Sequence, residues 1–302
     1  MKKINFSNPL NGRKWLSLLE ANLEFGMLFK KNLSYSKDYL GFSFKSNKFG
    51  LRGPENINAN SVICGTSFAM GLSVDNGENW YELDKRYQSF FNIGMPIGFK
   101  YQLNLLKKHY HGSADTLIFL YHPNIWITNK SFYVAEKKGV DIFTSMRWST
   151  SSIKIFYLYI RWLIKERVKT ILNKKTIVEF DNKKYHLNLN YSYFSQKNIS
   201  DIEQIIYDFK SLTKEFKKVI VFKIPIKEEL GLEYSNNINL KLLNNNYKEM
   251  WNIFSGSLDN KTIVVDLSNK FILSDYLEED THWSKSGNKK FHQYILENTG
   301  VL

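Results

Sequence analysis

Cysteine is nearly absent from this chain: Cys64 is the only one in 302 residues. One thiol excludes an intrachain disulfide framework and any multi-cysteine zinc site. Its setting in the apolar run Val62-Ile63-Cys64 predicts a buried, inert thiol. No apolar stretch is long and uncharged enough to span a bilayer. Met1-Lys2-Lys3 runs straight into Asn, Ser and Pro with no apolar segment behind it, so no secretory signal is expected. The expected compartment is the cytoplasm, with room for a peripheral association at the inner membrane. Internal repeats and low-complexity linkers are lacking, as are Arg-rich clusters, zinc-finger spacings and recognisable nucleic-acid motifs, so no nucleic-acid partner is expected. The His residues do not assemble into a ligand set, and neither a metal nor a cofactor is called for.

What the chain does have is apolar mass and positive charge. Hydrophobic residues make up 43% and aromatics 16%, as in a packed globular protein. The length allows one large α/β domain with embellishments or two small ones, and a sizeable core in either case. A net charge of +13 points to an anionic partner, either a glycan or a membrane surface. A Lys- and Asn-crowded composition would produce the same number with no partner at all.

Strand-like and helix-like patterns alternate along the chain. Strands are predicted over Ser61–Cys64, Ser89–Ile93, Thr116–Tyr121, Val219–Ile224 and Thr262–Leu267. Helices are predicted from Ser67 to Met70, Trp80 to Tyr87, about Lys100 to Tyr110, Asp201 to Lys217, Leu240 to Phe254 and Ser284 to Glu297. This alternation predicts a flavodoxin-like three-layer α/β sandwich around a parallel sheet of about five strands. Apolar residues from Gly12 to Leu33 recur at roughly helical spacing and predict an N-terminal amphipathic helix. Residues 38–53 read as short strands and turns. The division that follows is an N-terminal helix and lead-in over 1–58, then an α/β domain over 59–302 interrupted by a helical insertion at 128–200. Within the insertion, 152–175 reads as a basic amphipathic helix with Trp and Tyr. It suits either packing on its own domain or contact with a membrane interface.

In such sheets the active site lies at the carboxyl ends of the strands. Ser67 falls where a strand hands over to a helix, so its N–H is one of the unpaired donors of a helix start. The turn Asn92-Ile93-Gly94-Met95-Pro96-Ile97-Gly98 has glycines that let backbone approach a substrate. Asn124 follows the third strand. Near the C-terminus, Asp280 stands two residues before His282, just ahead of the last helix. An Asp so placed can orient and charge-balance an imidazole that acts as a general base. Glu278 and Glu279 are alternative acids with an ordinary surface role open to them.

In order and content these four segments resemble the blocks of the SGNH (GDSL-type) hydrolase superfamily. The resemblance covers about residues 45–127 and 201–300. The stretch Asn47-Lys48-Phe49-Gly50-Leu51-Arg52-Gly53-Pro54-Glu55 is similar to the lead-in of a bacterial subgroup tied to surface polysaccharides. Four departures stand out, the first being that the Asp280–His282 spacing is one residue shorter than in many members. Thr66 replaces the family's Asp before the nucleophile, His122 and Ile125 replace the Gly and Asp of the Asn block, and the Gly block is one residue longer.

The resemblance implies a catalytic Ser67, His282 and Asp280. Gly98 or Gly94, together with Asn124, would bind the oxyanion and substrate. It also implies acyl-ester chemistry on a carbohydrate or similar small-molecule ester, by hydrolysis or by O-acyl transfer. The other reading is an inactive carbohydrate-binding or scaffold protein in a surface-polysaccharide pathway.

Overall fold

In the computed structural model of the chain, residues 17–22, 24–36, 42–85, 90–126, 128–129, 175–188 and 202–299 are described. The first strands form an antiparallel hairpin, β1 (Leu19–Asn22) with β2 (Gly26–Phe29), and β3 (Ser34–Tyr35) pairs with β4 (Phe44–Lys45). The alternating part follows: β5 (Ser61–Gly65), α1 (Ser67–Met70), β6 (Phe90–Asn92), α2 (Phe99–His109) and β7 (Thr116–Tyr121). A second hairpin, β8 (Lys175–Phe180) with β9 (Lys183–Asn188), precedes α3 (Ile202–Thr213) and β10 (Lys218–Lys223). The chain ends with α4 (Lys227–Leu230), α5 (Ile238–Ser255), β11 (Thr262–Asp266) and α6 (Lys285–Thr299).

The main sheet has five parallel strands in the order β11-β10-β7-β5-β6. Counted along the chain, this is the flavodoxin-like order, in which strand direction of travel reverses between β5 and β7. Both faces are covered, which is why β7 and β10 read as near-continuous apolar runs. Side chains alternate between the faces. Val62, Cys64, Leu117, Phe119, Val219 and Val221 pack with residues of α2, α3 and α5, among them Leu105, Phe209 and Phe254. Ile63, Ile118, Leu120, Ile220 and Phe222 pack with Phe291 and Ile295 of α6 and with Trp80 and Trp283. Cys64 is wholly buried, and burial pushes its thiol pKa well up, so it stays an unreactive core group.

Two sequence expectations are corrected. The helix expected from Gly12 to Leu33 is, over its described part, the β1–β2 hairpin. Gly26 turns it at a φ of 73°, a left-handed conformation open to glycine. The helix-like spacing arises because Leu19, Leu28 and Phe29 are buried from two strands rather than from one helix face. Trp80–Tyr87 was expected to be helical, but over its described part it is a run of turns with tertiary partners. The Trp80 N–H donates to Asn288 Oδ1 at 3.2 Å and its indole N–H to Phe68 O at 3.2 Å. Those partners override a weak local preference. The described residues of the 128–200 insertion include the β8–β9 hairpin, which the sequence reading did not foresee. The basic segment 152–175 lies outside the described residues apart from its last residue, which opens β8. No helix among the described residues is long and apolar enough to cross a membrane.

The lead-in segment is pinned beneath the loop that follows α1. The buried Arg52 guanidinium donates to the carbonyls of Gly71 (2.6 Å), Val74 (3.0 Å) and Asp75 (3.2 Å). The planar fork of Arg suits several carbonyls at once.

Candidate active site

The site is built at the carboxyl ends of β5 and β7, where the sheet order reverses. Gly65 closes β5 with a φ of 138°. A Cβ there would stand 2.9 Å from Leu120 O and 3.1 Å from Ala69 Cβ, so only glycine lets the chain turn this sharply into α1. Ser67 is the first residue of α1 and is 7% exposed. Its N–H has no acceptor within the helix. The helix is a single turn of four residues, so what it offers is a local donor rather than a macrodipole.

The structure brings Ser67, His282 and Asp280 together across 215 residues of sequence. Ser67 Oγ lies 2.7 Å from His282 Nε2, and His282 Nδ1 lies 2.9 Å from Asp280 Oδ1. Asp280 Oδ1 also accepts the Thr281 N–H at 2.6 Å, and Oδ2 accepts the Ser73 hydroxyl at 3.1 Å. Burial by itself would raise the Asp280 pKa. The nearby His282 and the three donated hydrogen bonds outweigh it and hold the carboxyl at about 2. The carboxylate is therefore ionised at neutral pH and accepts from Nδ1–H. That fixes the tautomer: Nε2 carries the lone pair and faces the Ser67 hydroxyl.

Aromatic packing holds the imidazole in place. The Phe68 ring sits 5.3 Å from the His282 ring, 4.9 Å from Trp283 and 4.6 Å from His122, with which it stacks. His122 directly follows β7 and is 1% exposed. Burial first, and then the neighbouring His282, push its pKa down to about 3. It is neutral at physiological pH, and its Nδ1 accepts the Asn124 N–H at 3.3 Å, which places its own proton on Nε2. Asn124 is thus tied to the site through its backbone, and its side-chain amide makes no hydrogen bond to the described residues.

The two glycine candidates behave differently. The Gly94 N–H is already engaged by Asn92 Oδ1 at 2.8 Å, and a Cβ there would come 2.4 Å from Ala69 Cβ. Gly94 is therefore a close-approach glycine seated on α1, which corrects its expected role as an oxyanion donor. Gly98 caps α2, beside Asn129, whose Oδ1 accepts the Phe99 N–H at 2.9 Å. The Gly98 N–H makes no hydrogen bond to the described residues. No hydrogen bond joins Gly98 to Ser67 either.

Several supports escaped sequence reasoning. The Gln102 side chain, fully buried, donates to the carbonyls of Gly65 (2.9 Å), Met95 (3.3 Å) and Ile97 (3.2 Å), lacing the nucleophile turn to the glycine turn. Asn92 Nδ2 donates to Ala69 O at 2.9 Å. Ser73 reaches Asp280 from a positive φ of 77°, which no residue pattern signals. Thr66, the residue before Ser67, keeps a buried hydroxyl without a hydrogen-bond partner among the described residues.

No family model matches the chain. It is 30% identical over 112 residues to the small ribosomal subunit protein uS3m of Eremothecium gossypii, covering 33% of this chain and 32% of that protein. The chain thus spans about a third of the length of that curated relative. Among solved structures it is similar to LAE5, an alpha/beta hydrolase enzyme from the metagenome of Lake Arreo, Spain. That pair is 10% identical, with 83% of this chain and 99% of that one covered and a TM-score of 0.40. It is also similar to an extracellular lipase from Streptomyces rimosus, at 10% identity, 79% and 98% coverage and a TM-score of 0.42. Likenesses this shallow say nothing about what the chain does.

Proposed function

We propose that this chain is an SGNH-type serine enzyme that cleaves or transfers an acyl group. The observation that carries the reading is the relay Ser67 Oγ–His282 Nε2–Asp280 Oδ1, with its 2.7 and 2.9 Å contacts and an ionised carboxylate at its end. Ser67 Oγ attacks the ester carbonyl carbon while its proton passes to His282 Nε2. The imidazolium so formed is stabilised by Asp280. As the tetrahedral adduct collapses, the C–O bond to the alcohol breaks and His282 returns the proton to the departing oxygen. Water or a sugar hydroxyl then attacks the acyl-enzyme by the reverse sequence. The same relay serves hydrolysis and transfer alike; the acceptor decides between them. The Ser67 N–H, the Gly98 N–H and the Asn124 amide are the donors we assign to the oxyanion and substrate. Losing one such donor typically costs about 3 kcal/mol of barrier.

The substrate we propose is an ester on a carbohydrate of the surface-polysaccharide type. The lead-in and block pattern support this, and the +13 charge suits an anionic glycan or a membrane-proximal pathway. The test is labelling of the purified protein with a fluorophosphonate, followed by acetyl esters offered with and without glycan acceptors. Labelling that disappears in Ser67→Ala and in His282→Ala is the expected result. Well-folded protein that does not label sinks the acyl chemistry and leaves the inactive binding protein.

A further inference from the structure

Lys227 is the most deeply buried cation among the described residues, at 0% exposure. A buried ammonium is tolerated only when its hydrogen bonds are met. Lys has three N–H donors, and here the ammonium donates to three main-chain carbonyls of one short segment: Leu277 O at 2.7 Å, Glu278 O at 2.7 Å and Asp280 O at 3.2 Å. That segment is the loop carrying the acid of the relay. Any shift of the loop strips an acceptor from a buried charge.

The insertion reaches the same loop. The His186 N–H in β9 donates to Glu278 O at 2.8 Å. The Tyr185 ring stands 5.5 Å from Lys227 Nζ, within cation–π range. The hairpin is seated on its surroundings by Leu187, which packs where Gly231 has no side chain, and by Asn237 Nδ2 donating to Thr176 Oγ1 at 2.8 Å. Ile177 is the cross-strand neighbour of His186, and since the His186 N–H goes to Glu278 this edge of β9 faces the loop.

We infer that Lys227 and the β8–β9 hairpin form a clamp that positions the Asp280–His282 loop, making part of the 128–200 insertion a determinant of the relay's geometry. Lys227 is a positioning residue, since it touches the loop and not the reacting atoms. The inference rests on the proposed acyl chemistry only for its kinetic consequence.

The experiment therefore reads two things. Long-range ¹H–¹⁵N correlation on ¹⁵N-histidine protein reports the His282 tautomer, with His282→Gln as the assignment control. Fluorophosphonate labelling reports Ser67 reactivity. In Lys227→Met we expect the Nδ1–H form to give way to a tautomer mixture and the labelling rate to fall at least about tenfold, the loss expected when a positioning contact is disturbed. A folded Lys227→Met protein with the wild-type tautomer and rate overturns the clamp. If Lys227→Met fails to fold, His186→Pro decides, because it deletes the N–H to Glu278 and leaves the β8 pairing edge alone. A tautomer shift there supports the clamp, and none overturns it. Wild-type protein that does not label, yet shows the tautomer shift in the variants, refutes the acyl chemistry and leaves the clamp standing.

Discussion

Ser73 combines two opposed effects in one residue, and two substitutions separate them. Its backbone sits at a φ of 77°, and its hydroxyl donates to Asp280 Oδ2 at 3.1 Å. Ser73→Ala removes the hydroxyl and keeps the left-handed backbone. A hydrogen bond to a charged acceptor contributes about 1.5–3 kcal/mol, so this variant should lose about 2 kcal/mol. Ser73→Gly removes the same bond but also relieves a left-handed penalty of about 1–2 kcal/mol. Greater freedom of glycine in the unfolded chain offsets about 0.4–1 kcal/mol of that relief. Ser73→Gly should therefore be about 1 kcal/mol more stable than Ser73→Ala, by the difference of those two figures.

Chemical denaturation at several pH values is the assay. The Asp280 carboxyl is depressed to about 2, with the Ser73 hydroxyl among the donors that outweigh burial. A depressed carboxyl contributes stability above its unfolded pKa and loses it as pH falls through the folded value. The advantage of wild type over Ser73→Ala should be complete above about pH 4, the unfolded carboxylate range, and shrink below it. Both variants should slow Ser67 labelling by the same factor. A Ser73→Gly no more stable than Ser73→Ala refutes the backbone term. An advantage that persists unchanged into acid refutes the charge-assisted bond, and labelling restored by glycine alone would place the effect in the backbone rather than the hydroxyl.

Gly65→Ala should lose about 2–3 kcal/mol in urea titration, the scale of a strained backbone combined with a clash, because the new Cβ meets Leu120 O at 2.9 Å; wild-type stability would refute this. Gln102→Leu strips the donor from three carbonyls between Gly65 and Ile97. A loss of about 2–3 kcal/mol is expected, with slower Ser67 labelling, and a variant as reactive as wild type would show that the two turns hold themselves. His122, held at about 3 by burial and by His282, is neutral across the working pH range. His122→Gln should therefore leave the pH dependence of Ser67 labelling unchanged between about pH 5 and 8, and a profile that moves there would show that His122 does titrate in that range.

The sheet was legible because its physics is local. Thr116–Tyr121 is an apolar run bounded by turns, and β7 occupies those residues; β10 and β11 follow their expected positions to within a residue. Ser67 and the Asp280-x-His282 pair stood out because a small-residue turn between strand and helix, and an acid beside an imidazole, are features of sequence. Other features had no such signature. Leu19 to Phe29 carries helix-like spacing that a positive φ at Gly26 folds into a hairpin. Lys227 is one cation in a chain with 42 Lys and Arg, and nothing in its neighbours marks it as buried. Gly94 and Gly98 share a residue type, and only the Asn92 amide distinguishes the engaged N–H from the unengaged one.

The supports of the site share a chemical form that explains why they escaped. Gln102, Asn92, Arg52 and Lys227 all donate side-chain hydrogen bonds to main-chain carbonyls at strand ends, in the short helix α1 or in the loops beyond them. A carbonyl is present at every residue, so the acceptor leaves no trace in the sequence, and the donor looks like any other polar residue. Physically, though, each bond joins loop geometry to the penalty for an unmet buried donor or acceptor. The turns around Ser67 and His282 are short and irregular, with one four-residue helix between them. They have little secondary structure of their own to keep them rigid. Their rigidity is therefore tertiary, and substitutions in these four donors should lower stability and Ser67 reactivity together, whereas Ser67→Ala should remove reactivity alone.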